Sequence, residues 1–154
     1  MRPIMEEITG GCQCGAVRYR AIGLGRASIC HCRMCQKAFG GFFGPLVSAK
    51  GLEWTRGERA IFHSSNRNWR GFCAKCGTPL TYEFESETGE GVELSIGSLD
   101  NPDLAPPTVQ VNLDSKRHFV DGLFDLPGVE PMQLEDDEAW NQGVISNQHP
   151  DFDT

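Results

Sequence analysis

Seven cysteines fall in three short stretches of the chain: GGCQCG carries Cys12 and Cys14, ICHCRMC carries Cys30, Cys32 and Cys35, and FCAKCG carries Cys73 and Cys76. Thiolates crowded in this way either pair as disulfides or bind a metal ion. The odd count argues against a disulfide framework, as does the opening MRPIMEEITGG, which lacks the apolar core of a signal peptide. A reducing, cytoplasmic setting and metal ligation are therefore expected. Cys73-Ala-Lys-Cys76-Gly77 has the spacing of a zinc knuckle, whose tight turn calls for a positive φ at the glycine. Cys-x-Cys is tighter still. A tetrahedral zinc–thiolate site, with Zn–S near 2.3 Å, needs its sulfurs about 3.8 Å apart. A flat strand holds i and i+2 side chains farther apart than that, so Gly10, Gly11 and Gly15 are expected to bend the chain around Cys12 and Cys14. Each pair supplies two ligands. Joining Cys12 and Cys14 to Cys73 and Cys76 closes a four-thiolate site, although spacing alone does not decide which Cys-x-Cys joins the knuckle. Sites of this kind contribute roughly 10–16 kcal/mol of apparent binding free energy, comparable to the stability of a whole domain.

That leaves Cys30, Cys32 and Cys35. Three protein ligands leave a fourth position free, which is what separates catalytic from structural zinc. His63 or His118 could close the site instead, whereas His31, lying between two ligands, cannot easily reach the same ion. Zinc with three thiolates has a formal charge of −1. It acidifies water poorly, but its softness suits an exchangeable sulfur ligand. The open position is therefore read as a place for a small thiol. Arg33 and Lys37 flank this trio, and Arg67, Arg70 and Lys75 flank the knuckle. They would offset thiolate charge or grip the carboxylates of a peptide thiol.

Strands and turns must position these ligands. AVRYRAI (16–22) alternates, with Val17, Tyr19 and Ala21 on one face and Arg18 and Arg20 on the other, as a half-buried strand does. Further strands are expected at 43–48, 52–55, 60–63, 80–85, 92–98 and 108–113. Turns should lie at Lys50-Gly51, at Arg56-Gly57-Glu58, at Thr88-Gly89-Glu90-Gly91 and at Asn101-Pro102-Asp103. With 18 glycines and 9 prolines, this is the pattern of a mainly β, antiparallel domain. Short helical turns are expected from Cys32 through Lys37 and over 134–144. Trp54, Trp69 and Trp140 read as core or boundary aromatics. From Glu130 onward there are seven acidic residues and no Lys or Arg, so the net charge of −7 sits in the tail and the body is formally neutral. A domain over 1–129 with an acidic, solvated extension over 130–154 follows. The neutral body lacks the basic footprint of a nucleic-acid or membrane binder, and no apolar run is long enough to span a bilayer.

Taken together, GGCQCGAVRY, CHCRMCQKAFGG, RGFCAKCGTPL, GSLDNPD and VNLDSKRHFVDGLFDLPG resemble the glutathione-dependent formaldehyde-activating enzyme family, which also contains the centromere protein V domain. The resemblance runs from about Gly11 to Gly128 and implies a β-tent of antiparallel sheets around a structural zinc. It also implies the pairing left open above, with Cys12, Cys14, Cys73 and Cys76 on the structural ion and Cys30, Cys32 and Cys35 on the second. The implied activity is that of a carbon–sulfur lyase joining glutathione and formaldehyde into S-hydroxymethylglutathione, with glutathione (or a similar thiol) and a small aldehyde as partners. His31, His63, Ser64 and Ser65 are the candidate proton donors. Where family members commonly carry a tryptophan near the end, this chain has Phe119. The alternative is a non-catalytic, zinc-stapled module that binds glutathione or another protein. A methionine sulfoxide reductase, which shares the β-tent, would need a reactive cysteine late in the chain, and none follows Cys76.

Overall fold

The computed structural model describes residues 7–87, 89–129, 138 and 141–154. Its first half runs β1 (Ile8–Gly11), β2 (Arg18–Ala21), β3 (Gly23–Cys30), α1 (Arg33–Phe39), β4 (Gly44–Lys50) and β5 (Glu53–Arg56). β6 (Ala60–His63), β7 (Asn68–Phe72), β8 (Pro79–Ser86), β9 (Gly89–Ser95) and β10 (Val109–Val111) follow. The architecture is mainly β, as expected, and builds two sheets. The smaller has the order β1-β2-β5, and the larger β10-β3-β4-β9-β8-β7-β6. Every named pair is antiparallel except β10 with β3, which run parallel.

The alternation in AVRYRAI delivers Val17, Tyr19 and Ala21 to a core that they share with Val47, Leu80, Leu94, Ile96 and Leu99. Full burial of such side chains is worth about 1.5–3 kcal/mol each. Arg20 faces solvent as the pattern predicts. Arg18 does not: it is 2% exposed, because its guanidinium is bound by the Asp100 carboxylate, Nη1 to Oδ1 at 2.8 Å and Nη2 to Oδ2 at 2.5 Å. Tyr19 closes the other side, its hydroxyl 2.7 Å from Ser98 Oγ. That contact needs Gly10, since a Cβ there would collide with the Tyr19 hydroxyl and with the Ser98 carbonyl, 2.5 Å away.

Several boundaries shift for local reasons. The strand expected over 92–98 ends at Ser95, and residues Ile96–Ser98 form a 3-10 turn in which Ser98 Oγ donates to Ser95 O at 2.8 Å. The turn expected over 88–91 lies earlier: Ser86 already pairs with Gly89, so Gly89 and Glu90 belong to β9. The strand expected over 108–113 is cut to Val109–Val111 because Asn112 adopts φ 57°, ψ 48° and leads into another 3-10 turn, Leu113–Ser115. β1, β3 and β7 escape sequence reading because ITGG, GLGRASIC and NWRGF carry no apolar alternation. Of the helix expected over 134–144, only Glu138 and residues 141–144 are described; Gln142 N donates to Glu138 O at 3.1 Å. Trp140 lies outside the described residues. No described helix is long and apolar enough to cross a membrane.

Residues 141–154 are largely exposed. Their last residues are nonetheless tied to the body. His149 N donates to Gln13 O at 2.7 Å, Asp153 pairs with Arg18 at 3.0 Å, and Arg56 Nη2 donates to Thr154 O at 2.8 Å.

Candidate metal centres and the adjoining cleft

Cys12 and Cys14 leave the end of β1, and Cys73 and Cys76 leave the end of β7. The fold brings these two loops face to face, with all four Sγ atoms within 4.8 Å of one another. Cys12 and Cys14 are 3.6 Å apart and Cys14 and Cys73 3.9 Å, close to the edge of a tetrahedral zinc–thiolate site. Gly15 takes φ 77° and Gly77 takes φ 80°, as the turns demand, whereas Gly10 and Gly11, also expected to bend the chain, lie within β1. Gly77 N donates to Cys73 O at 2.8 Å, closing the knuckle turn. Cys12 Sγ accepts from Val17 N at 3.2 Å, and Cys76 Sγ lies 3.2 Å from Thr78 Oγ1. Without a metal these sulfurs differ in acidity. Burial pushes the Cys12 thiol up to about 12. At Cys76 burial opposes ionisation, but the Thr78 hydroxyl and backbone N–H, together with neighbouring groups, bring the pKa down to about 6. Metal binding here would therefore release protons.

The trio forms a second, separate cluster. Cys30 ends β3, Cys32 is the N-cap of α1, and Cys35 sits in its first turn, with the three Sγ atoms within 4.8 Å of one another. Cys32 Sγ accepts from Cys35 N at 3.3 Å, so the capping bond that starts the helix also sets the angle between two sulfurs. Two residues that sequence reading did not assign to this site complete its surroundings. Asn112 Nδ2 donates to Cys30 Sγ at 3.1 Å, from the left-handed backbone that asparagine tolerates better than most residues. Arg70, expected beside the knuckle, instead turns toward the trio: Nη2 donates to Cys35 Sγ at 3.4 Å, and its guanidinium lies 5.1 Å from the Tyr82 ring centroid. Arg70 is 7% exposed. Burial pushes the Cys35 thiol up to about 12 against the opposing pull of Arg70. For Cys32, burial is outweighed by the Cys35 N–H and its neighbours, and the pKa falls below the ordinary thiol value.

Among the described residues no histidine joins the trio. His31 is fully buried, with Nε2 2.9 Å from Gln110 Oε1 and its ring edge-on to Phe43. Its carbonyl accepts from Gln36 Nε2 at 2.6 Å, and the same amide donates to Ser115 O at 3.1 Å, locking α1 to the segment after β10. His63 and His118 are exposed. Ser65 is a turn hydroxyl, donating to Asn68 Oδ1 at 2.7 Å. Ser64 Oγ is buried without a hydrogen-bond partner. Trp54 packs edge-on against Tyr19, and Trp69 lies beside His63. Phe119 is half exposed and meets Phe42 edge-on at 4.9 Å.

Beside the trio lies a cleft of about 420 Å³ lined by Arg33, Met34, Lys37, Ala38, Phe62, Ser64 and Arg70. This is the size range of small-molecule sites. Three of its seven lining residues are cationic and none is acidic, while Met34 and Phe62 give it apolar walls.

Both clusters could hold a metal, and their all-sulfur donor sets are compatible with zinc. The chain belongs to the family described as glutathione-dependent formaldehyde-activating enzyme, which it matches over residues 7–115. The match spans both clusters and stops short of the Gly128 expected from the sequence. The fold is similar to that in a crystal structure of a Rhodobacter sphaeroides protein, at 21% identity and a TM-score of 0.52, covering 67% of this chain and 99% of that one. No curated protein matches the chain.

Proposed function

We propose that this protein is a zinc-dependent, carbon–sulfur lyase-type enzyme that handles adducts of glutathione, or a similar small thiol, with a small aldehyde. The observation that carries the reading is the Cys30/Cys32/Cys35 trio standing beside a cationic, acid-free cleft. Cys12, Cys14, Cys73 and Cys76 would hold a structural zinc, and the trio a second. That second zinc would supply a soft position at which a small thiol is held as thiolate. The chain's own residues do the remaining work. Arg70 and Asn112 offset and orient the sulfurs of Cys35 and Cys30. Arg33 and Lys37, on the exposed side of α1, are placed to meet the carboxylates of a peptide thiol. Met34 and Phe62, both more than half exposed, give the cleft apolar walls.

In the reaction, the thiol's sulfur forms a bond to the aldehyde carbon, and the carbonyl π pair moves onto oxygen. A proton then converts that alkoxide to the hydroxyl of the hemithioacetal. Ser64, which lines the cleft and whose buried Oγ has no partner in this structure, would be the hydroxyl to pass it on if it turned toward the cleft. A second reading is a non-catalytic thiol binder, favoured by the lack of any histidine or carboxylate in the cleft lining.

Native mass spectrometry with and without glutathione, followed by carbon-13 NMR of labelled formaldehyde with glutathione, tests both. Two zinc ions, an exchangeable glutathione and adduct formation faster than the uncatalysed rate support the enzyme. Binding without acceleration supports the second reading. No thiol affinity overturns both.

A further inference from the structure

The first cysteine cluster is covered by a part of the chain that shares no sequence feature with it. Residues 148–154 cross the loop Gln13-Cys14-Gly15, which carries a partly exposed ligand. His149 N donates to Gln13 O at 2.7 Å, and the His149 ring rests on Gly15 so closely that a Cβ there would sit 2.6 Å from its Cδ2. His149 Nε2 lies 2.8 Å from Thr154 Oγ1, folding the segment back on itself. Two arginines of the smaller sheet hold its end. Arg18 Nη2 reaches Asp153 Oδ1 at 3.0 Å while keeping its bonds to Asp100, and Arg56 Nη2 donates to Thr154 O at 2.8 Å and Thr154 Oγ1 at 3.1 Å. Arg56 Nη1 also donates to Gly15 O at 3.2 Å, so one side chain joins the ligand loop to the crossing segment. Between the segment and the body lies an open cleft of about 440 Å³ whose walls include Cys12, Cys76, Arg18 and Asp100 from the body and Gln148 and His149 from the segment.

On its other side the ligand loop is held by Gln13 N donating to Thr78 Oγ1 at 2.9 Å, across to the knuckle. The loop is thus fixed between the knuckle and the C-terminal segment. Cys14 is partly exposed even with the segment in place, and local opening of the loop, governed by the weakest bonds that hold it down, would expose it further.

We propose that residues 148–154 are a clasp that keeps the Cys12/Cys14/Cys73/Cys76 cluster closed and slows loss of its metal. The inference rests on that cluster holding a metal and not on the aldehyde chemistry of the trio. It gives the acidic end of the chain a partner, the Arg18–Arg56 face, and a purpose. Asp153 is the charged anchor and His149 the steric one.

The test uses the full-length, zinc-loaded protein challenged with a colorimetric chelator, together with hydrogen exchange of the His149 amide. Asp153→Asn should speed zinc loss from this cluster about threefold, the usual worth of a partly exposed ion pair. Adding His149→Ala should raise that to about tenfold, with Asp151→Asn as the charge control that leaves it unchanged. The His149 amide should be protected in the parent and lose protection in Asp153→Asn. Unchanged zinc loss in the double variant, or an unprotected His149 amide in the parent, would overturn the clasp. If Cys73→Ser leaves the zinc content unaltered, it is the metal-holding reading that fails, and amide protection still reports the contact separately.

Discussion

Arg70 Nη2 lies 3.4 Å from Cys35 Sγ, although the two residues are 35 positions apart and Arg70 borders the other cysteine pair in sequence. β7 makes this possible. It runs toward the knuckle at its end, but at Arg70 it pairs with Tyr82 of β8, which turns the guanidinium back over the Tyr82 ring and into the trio. One buried cation therefore serves the cluster it does not adjoin. Arg70→Met should weaken metal binding at the trio by about 10- to 100-fold, the usual cost of losing a group that supports a ligand. Arg70→Lys should recover part of it, since lysine restores charge without the planar fork. Chelator competition against the trio alone, with the first cluster as internal reference, measures both.

Gly44 faces Cys30 across the β3–β4 ladder, and a Cβ at this position would stand 2.9 Å from Cys35 Cβ. Gly44→Ala should therefore push Cys35 out of register with Cys30 and Cys32. The expected result is loss of thiol binding at the trio with zinc retained at the first cluster, read by metal content and a glutathione titration. Equal loss at both clusters would mean that the fold, and not the trio, had been disturbed.

The two clusters should answer differently to loss of a sulfur. Cys73 is 1% exposed and ties β7 to the loop after β1, so Cys73→Ser should cost most of the roughly 10–16 kcal/mol a structural site contributes and leave the chain unfolded. Cys32→Ser keeps a hydroxyl able to cap α1 and should spare the fold while abolishing thiol binding. Circular dichroism and zinc content separate the two outcomes.

Acid should loosen the molecule through Asp100. Burial opposes ionisation of this carboxyl, yet Arg18 and the Thr9 hydroxyl hold its pKa below the ordinary carboxylate value. A carboxyl with a lowered folded-state pKa stabilises the fold fully above its unfolded value, about 3.9, and loses that contribution as pH falls through the folded one. Asp100→Asn leaves the 2%-exposed Arg18 with Asp153 as its one carboxylate partner among the described residues, at a cost of about 3 kcal/mol. Thermal melts should show the full gap between parent and variant above about pH 5, closing below about pH 4.

Much of this architecture is legible in the chain. The alternation of Val17, Tyr19 and Ala21 marks a strand because period 2 survives whatever the strand packs against. The capping turn at Cys32 and the positive φ of Gly77 are legible because both are local. β3 is not, although it is one of the longest strands and ends on Cys30. GLGRASIC carries no pattern of its own and is held by β4 on one side and β10 on the other. Asn112 and Arg70 are hidden for a related reason. Their roles depend on which strand lies next to which, and nothing in VNLD or NWRG records that.

That Cys12 sits by Cys14, Cys30 by Cys32 and Cys35, and Cys73 by Cys76 follows from their spacing, because gaps of two and three residues bring thiolates within reach of one ion. That the first pair joins the last into a set of four, across the 59 positions from Cys14 to Cys73, was decided by the fold. What surrounds each set does not follow from spacing. Packing turned Arg70 away from its neighbours in the chain, brought Asn112 to Cys30, and laid His149 against Gln13 and Gly15. Ligand spacing is local geometry and is written in the chain. The charge and cover around a ligand come from segments far away in sequence, and only their packing chooses them.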